Sequence, residues 1–276
     1  MISVHPEGVG VTIRVMKCTL FILAFLIGAA TPRLALAAEA LTYDHMHISV
    51  TDTKAATSWY IKYLGATARS DGMDGVFFGR IRFNMRQTDK IVPSLGTLLE
   101  SVGLSYANLG ERMRALEGSG AKIIQAPHDV ADVRTAIVED PWGVRIELVQ
   151  DPALLGFHHA RLRTTDPAAM LAWFTEKLGG QPAKSGGASA LKFGGIWLIV
   201  DKADVAPAPS EGSAIDHLGF RTKDIKAAVA DLSANGVKVL GEPRQDRIVA
   251  TTYATNIEGL PGRVELTMRP DEAVSR

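Results

Sequence analysis

The sequence predicts an α+β fold assembled from four copies of one unit, a strand leading into a helix and then about three further strands. Three observations predict it. A His or Ser stands seven residues before an Asp or Asn at four places: His45 before Asp52, Ser101 before Asn108, His159 before Asp166 and His217 before Asp224. Each stretch alternates: His217, Gly219 and Arg221 share one face against Leu218 and Phe220, and His45, His47 and Ser49 share one against Met46, Ile48 and Val50. Finally, His45, Asp52, Trp59, Leu64 and Gly65 recur 114 residues later as His159, Asp166, Trp173, Leu178 and Gly179. Gly103, Leu116, Gly120 and Pro127 recur after 116 residues, and Glu147 recurs after 118 as Glu265, because the last turn is longer. An ungapped match of this length is internal duplication. The alternation predicts sheets with an apolar, helix-covered side and a polar hollow on the other.

In chain order, Tyr43 to Val50 reads as a strand, and Asp52 or Thr53 caps a helix that runs through Tyr63 and stops at Gly65. Short strands over Phe77 to Met85 and a Pro93-containing connection lead to the strand Glu100 to Tyr106. A helix striped with Leu109, Met113 and Leu116 follows. Thr135 to Val138, the turn Asp140-Pro141-Trp142-Gly143 and the strand Val144 to Val149 close the first half. The boundaries are then 1–37 as a removable leader, 38–150 as the first domain, 151–156 as a linker and 157–276 as the second domain. Gln181 to Ala190 and Ala203 to Ser213, rich in Pro, Gly, Ser and Ala, read as loops.

With 46% hydrophobic and 22% charged residues in 276, the composition is that of an ordered globular chain. Lys17, the apolar run Cys18 to Ala30 and the small-residue site Ala35-Leu36-Ala37 read as a secretory signal, cleaved near Ala37; Met16 offers an alternative start. That run has 13 residues, short of the roughly 20 a membrane-spanning helix needs, so no stable span is expected. The mature protein is expected in the periplasm or outside the cell. Removing the leader takes away Arg14, Lys17, Arg33 and Glu7 and leaves 27 basic against 29 acidic residues, which argues against a nucleic-acid partner. The lone Cys18 leaves with the leader, which excludes thiolate chemistry.

The units DHMHISVTDTKAATSWYIKYLG, FHHARLRTTDPAAMLAWFTEKLGG and IDHLGFRTKDIKAAVADLSANGVKV, with the endings DPWGVRIELVQDP and GLPGRVELTM, resemble the vicinal oxygen chelate superfamily. That group comprises glyoxalases, bleomycin-resistance proteins and extradiol dioxygenases. The resemblance implies βαβββ modules, paired two per domain around a cavity, with metal ligands on the first and last strands. Which modules pair is left open, since members of that group exchange partners; a pairing of first with fourth would bring His45 towards Glu265 and change the ligand set. In the second half the family's ligand positions fall on His159, His217 and Glu265. Two imidazoles and a carboxylate with open positions suit Fe(II) or Mn(II), and Zn(II) or Ni(II) would fit a glyoxalase-like site. In the first half the positions fall on His45, Ser101 and Glu147, with Arg82 or Asn84 on the fourth strand. Ser101 is a poor ligand, so this half is expected to be a degenerate site, serving as a lid or dimer surface; a homodimer fits that arrangement. His47, two residues along the same face from His45, reads as a pocket residue able to rescue a ligand position. Tyr253 matches the position of a substrate-binding tyrosine in the extradiol enzymes and is the candidate catalytic residue. Arg161, Arg221 and Arg247 are candidate contacts to an anionic substrate or an aromatic diol.

The order His, His, Glu resembles the metal-bearing domain of extradiol ring-cleavage dioxygenases, so an exported dioxygenase-like enzyme is the leading expectation. The further acid–base histidine of that family has no counterpart between His159 and His217 or beyond His217. A glyoxalase-type lyase or isomerase is the alternative, although no single half supplies four ligands. A binding protein of the bleomycin-resistance type, which sequesters a small molecule without chemistry, is a third.

Overall fold

A computed structural model describes residues 41–270 apart from 186 and 248, together with 1–3, 8 and 10. The expected apolar run of the leader and its cleavage site lie outside the described residues. The sheets and helices all belong to the unit Leu36–Arg276. No helix among the described residues is long and apolar enough to cross a membrane.

The four units are present as modules. The first comprises β1 (Thr42–Val50), α1 (Thr53–Leu64), β2 (Thr67–Ala68), β3 (Gly75–Phe78) and β4 (Ile81–Gln87). The second comprises β5 (Leu99–Tyr106), α2 (Leu109–Ala115), β6 (Lys122–Val130), β7 (Val133–Glu139) and β8 (Arg145–Gln150). The third comprises β9 (Gly156–Thr164), α3 (Pro167–Leu178), β10 (Gln181–Ser185), β11 (Ala188–Phe193) and β12 (Ile196–Lys202). The fourth comprises β13 (Ile215–Arg221), α4 (Ile225–Ala234), β14 (Lys238–Val239), β15 (Arg244–Gln245), β16 (Tyr253–Gly259) and β17 (Gly262–Met268). The repeated Asp or Asn is the helix N-cap each time. Asp52, Asn108, Asp166 and Asp224 accept from the otherwise unsatisfied backbone N–H groups of the first turn.

The sheets do not follow the two sequence halves. One runs β14-β16-β17-β13-β1-β4-β3-β2, with β15 beside β16, and so joins the first module to the fourth; the other runs β10-β11-β12-β9-β5-β8-β7-β6 and joins the second to the third. Each sheet therefore draws one module from 38–150 and one from 157–276. Connection length gives a physical reason. Only residues 151–155 separate β8 from β9, and five residues reach at most about 17 Å, enough to place both strands beside β5 in one sheet. The longer connections, 88–98 and 203–214, cross from one sheet to the other and hydrogen-bond to each other. Leu98 N donates to Ala208 O at 2.8 Å and Ala214 N to Val92 O at 2.7 Å. The segment Ala203 to Ser213, read as a loop, is thus half of this paired crossing. Gln181 to Ala190, also read as a loop, is largely a hairpin, because β10 pairs with β11 as the sheet's outermost strand.

The alternation holds where it matters: Met46, Ile48, Val50, Leu218 and Phe220 are buried in a core shared by both sheets. Tyr43 and Phe83 from one sheet meet Phe157 of the other, at 5.1 and 5.8 Å between ring centroids, and Phe193 meets Phe220 at 4.8 Å.

Candidate metal centre

Each module's first strand carries one bulged residue where it pairs with its partner. Between β1 and β13 the register skips Asp44 and Asp216; between β5 and β9 it skips Glu100 and His158. An extra residue on one strand lets its two flanking neighbours point to opposite faces. Tyr43, Leu99, Phe157 and Ile215 therefore enter the core, while His45, Ser101, His159 and His217, two residues on, face the hollows.

In the sheet of modules one and four the antiparallel pairing sets His45 opposite Gly219 and His47 opposite His217, and Glu265 lies beside Gly219 on the parallel neighbour β17. One ligand atom from each of His45, His47, His217 and Glu265 lies within 4.8 Å of the others, and among the described residues this is the one such group able to share an ion. Glu265 Oε2 is 3.0 Å from His217 Nε2 and 3.4 Å from both His45 Nε2 and His47 Nε2. The rings of His47 and His217 are stacked, with centroids 4.4 Å apart.

Carboxylates behind two of the rings fix their orientation. His45 Nδ1 bonds Asp44 at 2.7 Å and His217 Nδ1 bonds Asp216 at 2.5 Å, which directs both Nε2 atoms at the hollow. These aspartates are the bulged residues, so one backbone device supplies the ligand and its support. Arg269 and, at 3.6 Å, Arg82 neutralise Asp44, while Arg263 is paired with Asp216. Asp44 is held at about 2: burial opposes its ionisation, but His45 and Arg269 outweigh burial. Burial also works against a charged His45, yet Asp44 and Glu265, one on each nitrogen, lift its pKa to about 9. For His47 burial prevails over the pull of Glu265 and, with the neighbouring imidazoles, holds its pKa down at about 4. Glu265 stays well below the ordinary carboxylate range: burial resists, and the three histidines overcome it.

The donor set fits a divalent cation. His45 is 1% exposed and its Nε2 has no hydrogen-bond partner, an orphaned polar atom that faces a carboxylate and two more imidazoles. Asn256, opposite Glu265 on β16, presents a second buried acceptor without a partner, Oδ1. Arg69 caps the far side by bonding Asn84, which stands opposite His47 on β4, and is itself bound by Asp71.

Of the expected ligands, His217 and Glu265 come together and His159 does not join them. It lies in the other sheet, 3.2 Å from Glu147, with Ser101 Oγ bonded to Glu147 at 2.5 Å. His45, expected in the degenerate set, belongs instead with His217 and Glu265. The expected set held for modules paired in sequence order; the pairing of first with fourth, which the sequence left open, is the one found. His158 is the bulged residue and bonds His159, Nδ1 to Nδ1, at 2.9 Å. Tyr253 is corrected too: three residues from Asn256 along β16, it turns to the other face and packs on the core opposite Met268. Arg161 is held by Glu147 and Asp201 in the other hollow. Arg221 shares the face of His217 but stands four residues, about 13 Å, along β13, and Arg247 is exposed in the turn before β16. Sequence reasoning undervalued His47 and passed over Asn256 and the supporting aspartates. A signal was present, because Asp precedes the histidine at 44–45 and 216–217, whereas His precedes it at 158–159.

A model of the Glyoxalase/Bleomycin resistance protein/Dioxygenase superfamily matches residues 42–148 and 156–259. The structure is similar to glyoxalase I from Zea mays, with TM-score 0.65 and 17% identity, over 83% of this chain and 92% of that one. It is also similar to a putative dioxygenase from Bacillus subtilis subsp. subtilis str. 168, with TM-score 0.63 and 14% identity, over 84% and 86%. No curated protein matches the sequence. With both halves matched and the same fold in these two structures, the chain belongs to the glyoxalase/bleomycin resistance protein/dioxygenase superfamily.

Proposed function

We propose that the chain is a metal-dependent enzyme acting on a small molecule with two neighbouring oxygens, its cation held by His45, His47, His217 and Glu265. The convergence of four ligand atoms within 4.8 Å, with a carboxylate behind two of the rings, carries the reading. Three imidazoles and one carboxylate drawn from two modules meet the four-ligand requirement that neither sequence half meets alone, which favours glyoxalase-type isomerase or lyase chemistry on Zn(II) or Ni(II) over ring cleavage on Fe(II) or Mn(II). When bound, the cation would polarise a carbonyl and acidify the hydroxyl next to it. Glu265 stands where a carboxylate can take a proton from one carbon and return it to the next. The Asn256 acceptor is placed to receive a substrate hydroxyl. The nearby acids Asp44, Asp216 and Glu265 are matched by Arg82, Arg263 and Arg269, so a cation's charge is left for the substrate to balance, which favours one that is or becomes an anion.

A second reading rests on His47. Unlike His45 and His217 it has no carboxylate on its other nitrogen, and its side chain is 25% exposed. An imidazole free to leave the ion would supply the acid–base histidine of an extradiol dioxygenase. Elemental analysis of the purified protein is expected to find bound metal that is lost in His217→Ala. A metal-free protein unaffected by that change would end both readings and leave sequestration. Anaerobic isomerisation of hemithioacetals against oxygen uptake with a catechol panel then separates the first reading from the second. We further propose that the protein works outside the cytoplasm, a reading supported by residues 17–37.

A further inference from the structure

The two sheets carry the same arrangement twice. In one, His45 faces Gly219, His47 faces His217, and Glu265 lies beside Gly219. In the other, His159 faces Gly103, Arg161 faces Ser101, and Glu147 lies beside Gly103. Register thus equates His45 with His159, Glu265 with Glu147, His47 with Arg161, and His217 with Ser101. Two of the four ligand positions keep their residue type and two do not.

We propose that the second hollow is a metal site in which Arg161 has taken the cation's place, so that the chain binds one divalent ion and the second site returns when Arg161 and Ser101 become histidine. The guanidinium lies on the carboxylate that would ligate the ion. Arg161 Nε donates to Glu147 Oε1 at 2.5 Å and Nη2 to Oε2 at 2.8 Å, while Ser101 Oγ donates to Oε1 at 2.5 Å. Both oxygens are taken, and Asp201, bonded to Nη1 at 2.6 Å, holds the guanidinium in place. A planar fork fits a carboxylate in this way, and its charge cannot be removed by deprotonation. The remaining ligand is in position: His159 is 2% exposed, and its Nε2, 3.2 Å from Glu147, has no hydrogen-bond partner. The template for this second site is the ligand set proposed above, on which the proposal rests, but metal content reads the second site without recourse to catalysis.

The test counts ions. Wild type and the Ser101→His/Arg161→His variant are loaded with Zn(II), desalted and analysed for zinc, with Co(II) absorption reporting ligand geometry. The variant is expected to hold about one more equivalent per chain than wild type. Adding His45→Ala to it should remove the first equivalent and keep the second. A variant with wild-type circular dichroism and no added equivalent overturns the proposal. Should the double variant fail to fold, Arg161→His alone leaves Ser101 on Glu147 and adds one imidazole; an added equivalent held more weakly supports the proposal, and none overturns it. If wild type binds no zinc and the variant binds one equivalent, the metal-enzyme reading falls while the proposal for the second hollow stands.

Discussion

Gly219 leaves the space that the ring of His45 fills. A Cβ there would lie 2.0 Å from His45 Cε1, and the equivalent atom at Gly103 would lie 2.0 Å from His159 Nδ1. Both Gly219→Ala and Gly103→Ala should lower stability by about 1–3 kcal/mol through overpacking, measured by denaturant unfolding. Only Gly219→Ala should also reduce bound metal; equal metal loss in both would contradict the assignment of the centre. Asp216→Asn should weaken metal binding about 10–100-fold with little loss of fold, because it loosens the ring of His217 without removing a ligand. The raised pKa of His45, about 9, gives a further sign to check. A cation must displace that proton, so metal affinity should rise about tenfold per pH unit from neutrality up to about 9, as read by competitive chelation. At this scale the sequence told which residues face a hollow, since alternation decides that, but not which hollow. His45, His159 and His217 read alike until the bulged neighbour on each strand is considered.

Helices and turns lock the modules together through a few buried polar contacts. Tyr60 of α1 donates to Asp140 Oδ2 at 2.7 Å, and Asp140 Oδ1 accepts from Trp142 N and Val144 N across the turn before β8. Burial raises the pKa of Asp140 to about 6, with Tyr60 and the two backbone donors opposing. Unfolded, this acid titrates near 4. The folded protein therefore holds the extra proton between about pH 4 and 6, and its stability falls as pH rises through that window, on the order of 3 kcal/mol. Asp140→Asn should flatten this slope in pH-dependent unfolding; an unchanged slope would locate the titration elsewhere. Trp142 bonds Thr51, meets Trp59 edge-on and stacks against Tyr60. The elements legible in sequence were those with one buried face, such as β1 and α1. β6 was not, because its nine residues are mostly exposed and carry Pro127 without alternation; the strand exists through pairing with β7 alone.

The whole molecule is where sequence order misled most. Duplication identified four modules, but which of them share a sheet depends on connection length and on which apolar faces meet, and neither shows as a repeat. Taken alone, residues 38–155 would leave β1 without β13 and β5 without β9, two open edges with exposed backbone groups. Each half expressed separately should aggregate or pair with itself. Co-expression of 38–155 with 156–276 should restore a soluble, metal-binding complex, observable by size exclusion and zinc content. A half that folds as a stable monomer would contradict the exchanged pairing.

The centre is built from the opening strand of the chain and its closing one, with His45 and Glu265 standing 220 positions apart. A contact so distant in sequence carries a large loop-closure cost, of the kind that slows folding. Because His45 and His47 lie on β1 and Glu265 on β17, the four side chains cannot converge until the final hairpin has been made. Products that stop short of β17 would lack Glu265 and so the complete four-residue cluster.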